Sequence, residues 1–176
     1  MNSNNVLRFL VIAICLLTPT ASFSGELSLP KGWRLPTTSE ITPNQEWRSN
    51  SPTRYLTVNA DFNGDGVVDT GMLLVSKNGF ELALFVFLSQ KDGSSKIYLL
   101  DKLKHIEHIQ VMGIELAVPN KYKTACGKGY FDCQPGELEE ITLKNPAIDY
   151  FKIESANSFF YWEESKKIFK RIWMSD

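Results

Sequence analysis

The nine residues Asp61-Phe62-Asn63-Gly64-Asp65-Gly66-Val67-Val68-Asp69 constrain the fold most, because the chain on either side of them reads as strand. Before the loop, Leu56, Val58 and Ala60 alternate with Tyr55, Thr57 and Asn59, a period of two. After it, Val67-Val68 and Met72-Leu73-Leu74-Val75 form a short apolar run of the buried-strand kind. Inside the loop, oxygen-bearing side chains fall at positions 1, 3, 5 and 9, and Gly66 at position 6 supplies the bend. That spacing suits a hard cation such as calcium, which takes six to eight oxygens at about 2.3–2.6 Å. The expected ligands are Asp61, Asn63, Asp65 and Asp69 through their side chains and Val67 through its carbonyl. One divalent cation would relieve the mutual repulsion of the three aspartates. The alternative is a polar turn without metal, since Asx and Gly residues build turns unaided.

The EF-hand pattern continues to a bidentate Glu at position 12, which here is Met72, and it requires flanking helices rather than strands. A strand, a D-x-N-G-D-G-x-x-D loop and a second strand together resemble the calcium loop of FG-GAP or VCBS-type repeats. The resemblance spans roughly residues 53–90 and implies the same five ligands and a bacterial source. Only one copy is present, whereas propellers are built from about four to eight blades. The chain is therefore not expected to form one.

Residues 1–24 read as a secretory leader. Arg8 precedes the apolar run Phe9 to Leu17, Pro19 breaks it, and Ser22 and Ser24 are small residues suited to cleavage before Gly25. The run falls short of the ~20 apolar residues that span a bilayer. A soluble periplasmic or secreted product is expected, with no membrane insertion once the leader is removed. The formal net charge of −1 is no footprint for nucleic acid. What remains is enough for a single domain with a real core.

Residues 25–53 are rich in Pro, Thr, Ser and Asn and read as an extended N-terminal arm, with Trp33 and Trp47 as anchors on a sheet. From residue 54 to 176 the reading is mainly β: one twisted antiparallel sheet or sandwich with one short helix. Asn78-Gly79 and Asp92-Gly93 mark hairpin turns. Between them Phe80 to Leu88 is almost wholly apolar, as a central strand covered on both faces would be. Asp101 caps the expected helix near 102–110, with Leu103, Ile106 and Ile109 on one face. His105 and His108 lie three apart there, but nothing completes a transition-metal set around them, and they read as surface residues. Further strands are expected over Val111–Val118, Ile141–Leu143 and Ile148–Ile153. A final hairpin joins Phe159–Trp162 to Ile168–Trp173.

Cys126 and Cys133 are the cysteines that remain after the leader, and an oxidising compartment would join them. The small ring carries Tyr130 and Phe131, flanked by Lys123 and Lys128, and these aromatics are the candidate contacts for a protein partner. Neither G-x-S-x-G, H-E-x-x-H nor a phosphate-binding loop is present. Glu137, Glu139 and Glu140 could supply a carboxylate pair, although they also read as a charged lead-in to the strand that follows. The leading expectation is a small secreted calcium-binding domain that acts as a protein-binding or inhibitor module, an immunity-type inhibitor being one concrete form. The alternatives are a secreted carboxylate-dependent hydrolase and a structural envelope protein stabilised by calcium.

Overall fold

The computed structural model describes residues 27–42, 46–48 and 51–176. The leader expected over 1–24 lies outside the described residues. Among these residues the architecture is mainly β, two antiparallel sheets sharing one core, with no closed barrel.

The first sheet contains β1 (Trp33–Arg34), β2 (Thr57–Ala60), β3 (Asp69–Ser76), β4 (Glu81–Ser89) and β5 (Ser95–Lys104). Its order is β1-β3-β4-β5, with β2 also on β3. The second contains β6 (Met112–Ala117), β9 (Ala147–Lys152), β10 (Asn157–Glu163) and β11 (Ile168–Trp173), in the order β11-β10-β9-β6. A two-stranded ribbon, β7 (Lys121–Lys123) with β8 (Glu140–Thr142), connects β6 to β9.

Strand β4 is central, as its composition dictates: Leu82 through Leu88 are all buried. Its side chains alternate between two environments. Leu82, Leu84, Val86 and Leu88 enter the core between the sheets, against Ile114, Ile148, Tyr150 and Phe160. Ala83, Phe85 and Phe87 face the other way and are roofed by Leu27, Leu29 and Trp33. Burying each leucine or phenylalanine contributes about 1.5–3 kcal/mol, so both faces of this strand hold the fold together.

The turns follow the expected chemistry. Ser76 ends β3, and its Oγ accepts the N–H groups of Phe80 and Glu81 while donating to Asn78 Oδ1. Gly79 completes that hairpin at φ 77°, where a side chain would be strained. The predicted tryptophan anchors are in place: Trp33 meets Phe85 edge-on at 5.1 Å, and Trp47 stacks on Tyr55 at 5.2 Å.

Three expectations need correction. The arm is not uniformly extended: it carries β1, a single turn α1 (Thr38–Ile41) and a 3₁₀ turn at Glu46–Arg48. Thr37 and Glu40 form a capping box, a signal the sequence carried in Thr37-Thr38-Ser39-Glu40. The helix near 102–110 is reduced to a 3₁₀ turn at Ile106–Gln110, because β5 continues through Lys104 in register with Glu81. Asp101 caps nothing there and instead forms an ion pair with Arg171 at 3.4 Å. Finally, Val67 and Val68 belong to the loop rather than to β3, and Val68 is exposed.

Candidate metal loop and partner surface

Two residues of the 61–69 loop are buried, and they fix its position. Phe62, its aromatic member, is fully buried in the core between the sheets and meets Phe169 edge-on at 6.5 Å. Asp69 is also 0 % exposed. One of its oxygens accepts the Phe62 N–H and the other the Ser89 N–H, each at 2.9 Å. It therefore straps the start of the loop to the end of β4. Burial pushes its carboxyl up to about 6 against the pull of those two N–H groups, and the negative charges of Asp65 and Asp61 add to the rise.

The remaining polar side chains gather at the outer side. Asp61 accepts from the amides of Gly64 and Asp65 with one oxygen and Gly66 with the other, at 2.7–3.1 Å. Asn63 Nδ2 donates to Asp65 Oδ2 at 2.9 Å. Gly64 and Gly66 adopt φ of 75° and 87°, the left-handed region in which glycine is unstrained. A Cβ on Gly64 would also come within 2.8 Å of the Asn145 side chain. The loop thus lies against the turn before β9.

These residues fit a cation in one respect and offer an alternative in another. The negative charges of Asp61 and Asp65 reach the Asp69 carboxyl, and a carboxylate oxygen has lone pairs beyond the one taken by an amide. The amide bonds themselves are those of an Asx turn that stands without metal. Among the described residues, no group of three or more His, Cys, Asp or Glu side chains is arranged as a ready metal cage. Asn63 and the Val67 carbonyl would have to complete the donor set.

Cys126 and Cys133 are joined, with Cα atoms 4.9 Å apart. The ring between them begins with a 3₁₀ turn at Cys126–Lys128 and is seated on the body of the protein. Lys128 Nζ donates to the Met174 carbonyl at 2.7 Å, and Thr124 Oγ1 donates to the Leu138 carbonyl at 2.7 Å. Tyr130 and Phe131 are 55 % and 40 % exposed. Phe131 lines a groove of about 230 Å³ with Leu138, Tyr161, Ile172 and Trp173, beside edge strand β11.

The other candidates are not brought together. Of Glu137, Glu139 and Glu140, Glu137 alone lines that groove, while Glu140 pairs with Lys121 across the ribbon. His105 is exposed and His108 half-buried. Sequence reasoning overlooked Arg48, which is buried. Its guanidinium donates to the carbonyls of Arg54, Ile109 and Met112, and it stacks on Trp47 at 4.0 Å. Burial lowers its pKa to about 10, opposed by Tyr55. A buried arginine satisfied by carbonyls has no local sequence signature, since two of its three partners, Ile109 and Met112, lie more than sixty residues away.

Fold and loop together define a two-sheet antiparallel β protein with an aspartate-rich connection and a disulfide-closed ring. Comparison with protein-family models, with curated proteins and with solved structures found no match. No helix among the described residues is long and apolar enough to cross a membrane.

Proposed function

We propose that this protein is a small secreted or periplasmic binding module, and that the disulfide ring presents Tyr130 and Phe131 to a protein partner. One observation carries the reading: two adjacent aromatics are exposed on a short loop that is covalently closed and tied to Met174, just beyond the last strand. Holding an aromatic contact in place before binding lowers the ordering cost of association. The disulfide accords with an oxidising compartment. An inhibitor of the immunity type is one concrete form of such a module.

In the same proposal the 61–69 loop takes calcium, in the manner of the FG-GAP and VCBS loops it resembles. Asp61, Asn63, Asp65, Asp69 and the Val67 carbonyl are the ligands. The ion's place in the fold is structural, because the loop holds β2 to β3 while Phe62 reaches into the core.

The test is capture from a periplasmic extract in calcium-containing buffer. A discrete partner should be retained by the wild type and lost with Tyr130→Ala and Phe131→Ala. Leu99→Ala, which alters an exposed side chain on the other sheet, should retain it. Equal retention by all the variants would remove the ring from the interface.

A further inference from the structure

A second groove, of about 400 Å³, lies where the loop, the β4–β5 turn region and the β10–β11 hairpin meet. It shares no residue with the groove beside the disulfide ring. Its lining is mostly polar: Asn63 and Asp65 from the loop, Gln90 from the β4–β5 turn, Lys96 from β5, and Glu164 and Lys167 from the β10–β11 hairpin. Tyr98 and Trp162 supply the aromatic surface.

That surface is braced. Tyr98 meets Trp162 edge-on at 5.9 Å, and Phe169 meets it at 5.2 Å and 67°. The indole N–H donates to Glu164 Oε2 at 2.8 Å, and Lys167 holds the other oxygen of Glu164 at 2.9 Å. A tryptophan held by two T-shaped ring contacts and by its own N–H is an aromatic plate with little ordering cost left.

The charges around it decide the ligand class. Lys96 and Lys167 face Asp65 and Glu164 in one small space, so the lining is balanced. A phosphate or polyanion would meet the two carboxylates, and a basic peptide would meet the two lysines. An uncharged ligand dense in hydroxyl groups suits the site instead. Each hydroxyl both donates and accepts, matching the amide of Gln90 as well as the charged groups, while C–H faces of the ligand lie on the indole. The volume is in the range of small-molecule sites, about 300–1,000 Å³.

We propose that this groove binds a neutral oligosaccharide of a few sugar units, with Trp162 as the stacking platform and Gln90 and Lys96 as hydroxyl contacts. The proposal goes beyond the protein-partner reading and requires neither the disulfide ring nor bound calcium.

The experiment is an NMR titration of the full protein, following the Trp162 indole N–H, with chitotriose, maltotriose and cellotriose, in calcium and in EDTA. At least one trisaccharide should shift that resonance saturably, with a dissociation constant of about 1 mM or below. Gln90→Ala and Lys96→Ala remove side chains at the groove without touching the core and should each weaken binding by about fivefold or more. Tyr130→Ala should leave the constant unchanged, which separates this site from the ring. The proposal is overturned if no trisaccharide shifts the indole up to about 20 mM. It is equally overturned if both groove variants bind like the wild type, or if inorganic phosphate or a lysine-rich peptide shifts the indole where the sugars do not.

Discussion

The Cα of Gly127 sits so close to the carbonyl of Glu139 that a Cβ placed on it would overlap that oxygen. The contact joins the disulfide ring to the residue preceding β8, where Thr124 N–H also donates to the Glu139 carbonyl at 2.9 Å. Backbone meets backbone here, so no flexible side chain can yield. Gly127→Ala is expected to destabilise the protein by about 1–3 kcal/mol, the usual range for forced overpacking. A urea midpoint compared with that of Gly129→Ala separates the causes. Gly129 has open space but φ 82°, so alanine there costs about 1–2 kcal/mol through backbone strain alone.

Calcium at about 100 times its dissociation constant should raise stability by about 2.7 kcal/mol. For a chain of this size that is a Tm increase of about 5–10 °C. The rise should be absent in magnesium and in Asp65→Ala. Differential scanning calorimetry in calcium, magnesium and EDTA reads it directly, and identical curves in all three would leave the loop as an Asx turn.

Replacing Arg48 with alanine strips the carbonyls of Arg54, Ile109 and Met112 of their donor. Buried acceptors left unpaired cost about 1–3 kcal/mol each before relaxation, and a total loss near 3 kcal/mol is expected. Arg48→Lys should recover little, because one ammonium does not reproduce the planar fork that reaches three carbonyls. Chemical denaturation of both variants checks the ranking.

Below neutral pH the Arg34–Glu40 pair sets part of the acid limb. Arg34 donates to both Glu40 oxygens at 2.7 and 2.8 Å, and together with the Thr37 amide this holds the Glu40 carboxyl down at about 2, against an ordinary 4.5. A carboxyl lowered on folding stabilises the protein above the unfolded value. That contribution is lost as pH falls from about 4.5 to about 2. Glu40→Gln should be less stable than wild type at pH 6, and the gap should close by pH ~2. Because the pair is partly exposed, the gap should also narrow with salt.

Reducing the Cys126–Cys133 bond should lower stability by about 2–3 kcal/mol through the freedom returned to the unfolded ring. If the ring is the partner surface, reduction should weaken capture further than the fall in stability accounts for. Capture measured well below the Tm, with and without reductant, distinguishes the two.

Local chemistry made much of this fold readable. The hairpins at Asn78-Gly79 and Asp92-Gly93, the doubly buried run ending at Leu88 and the cysteine pairing all follow from neighbours in the chain. What escaped depended on distant residues. Strand β9 pairs with β6 rather than with β8, which immediately precedes it, a choice made by which faces can be buried together. The run Phe159-Phe160-Tyr161-Trp162 reads equally well in either orientation. Only the structure puts Phe160 and Trp162 against the shared core and Phe159 against the ribbon. The loop's spacing was visible, but the use of Asp69 as a buried strap was not, because its second donor, Ser89, comes from the far end of β4.

The edge of β3 is closed by two pieces of chain laid end to end, β1 against Val75 and Ser76 and β2 against Asp69 to Met72. Both pieces precede β3 in the chain, so in any N-to-C emergence, from a ribosome or from a secretion channel, the covers appear before the strand they cover. When residue 89 has emerged, β3 already has neighbours on both sides, and the roof of Leu27, Leu29 and Trp33 can close over Phe85 and Phe87. A bare edge on a long apolar strand is a template for pairing with other chains. This order of synthesis shortens the time β3 spends as one, and leaves charged, lysine-bearing β5 as the margin that waits in water.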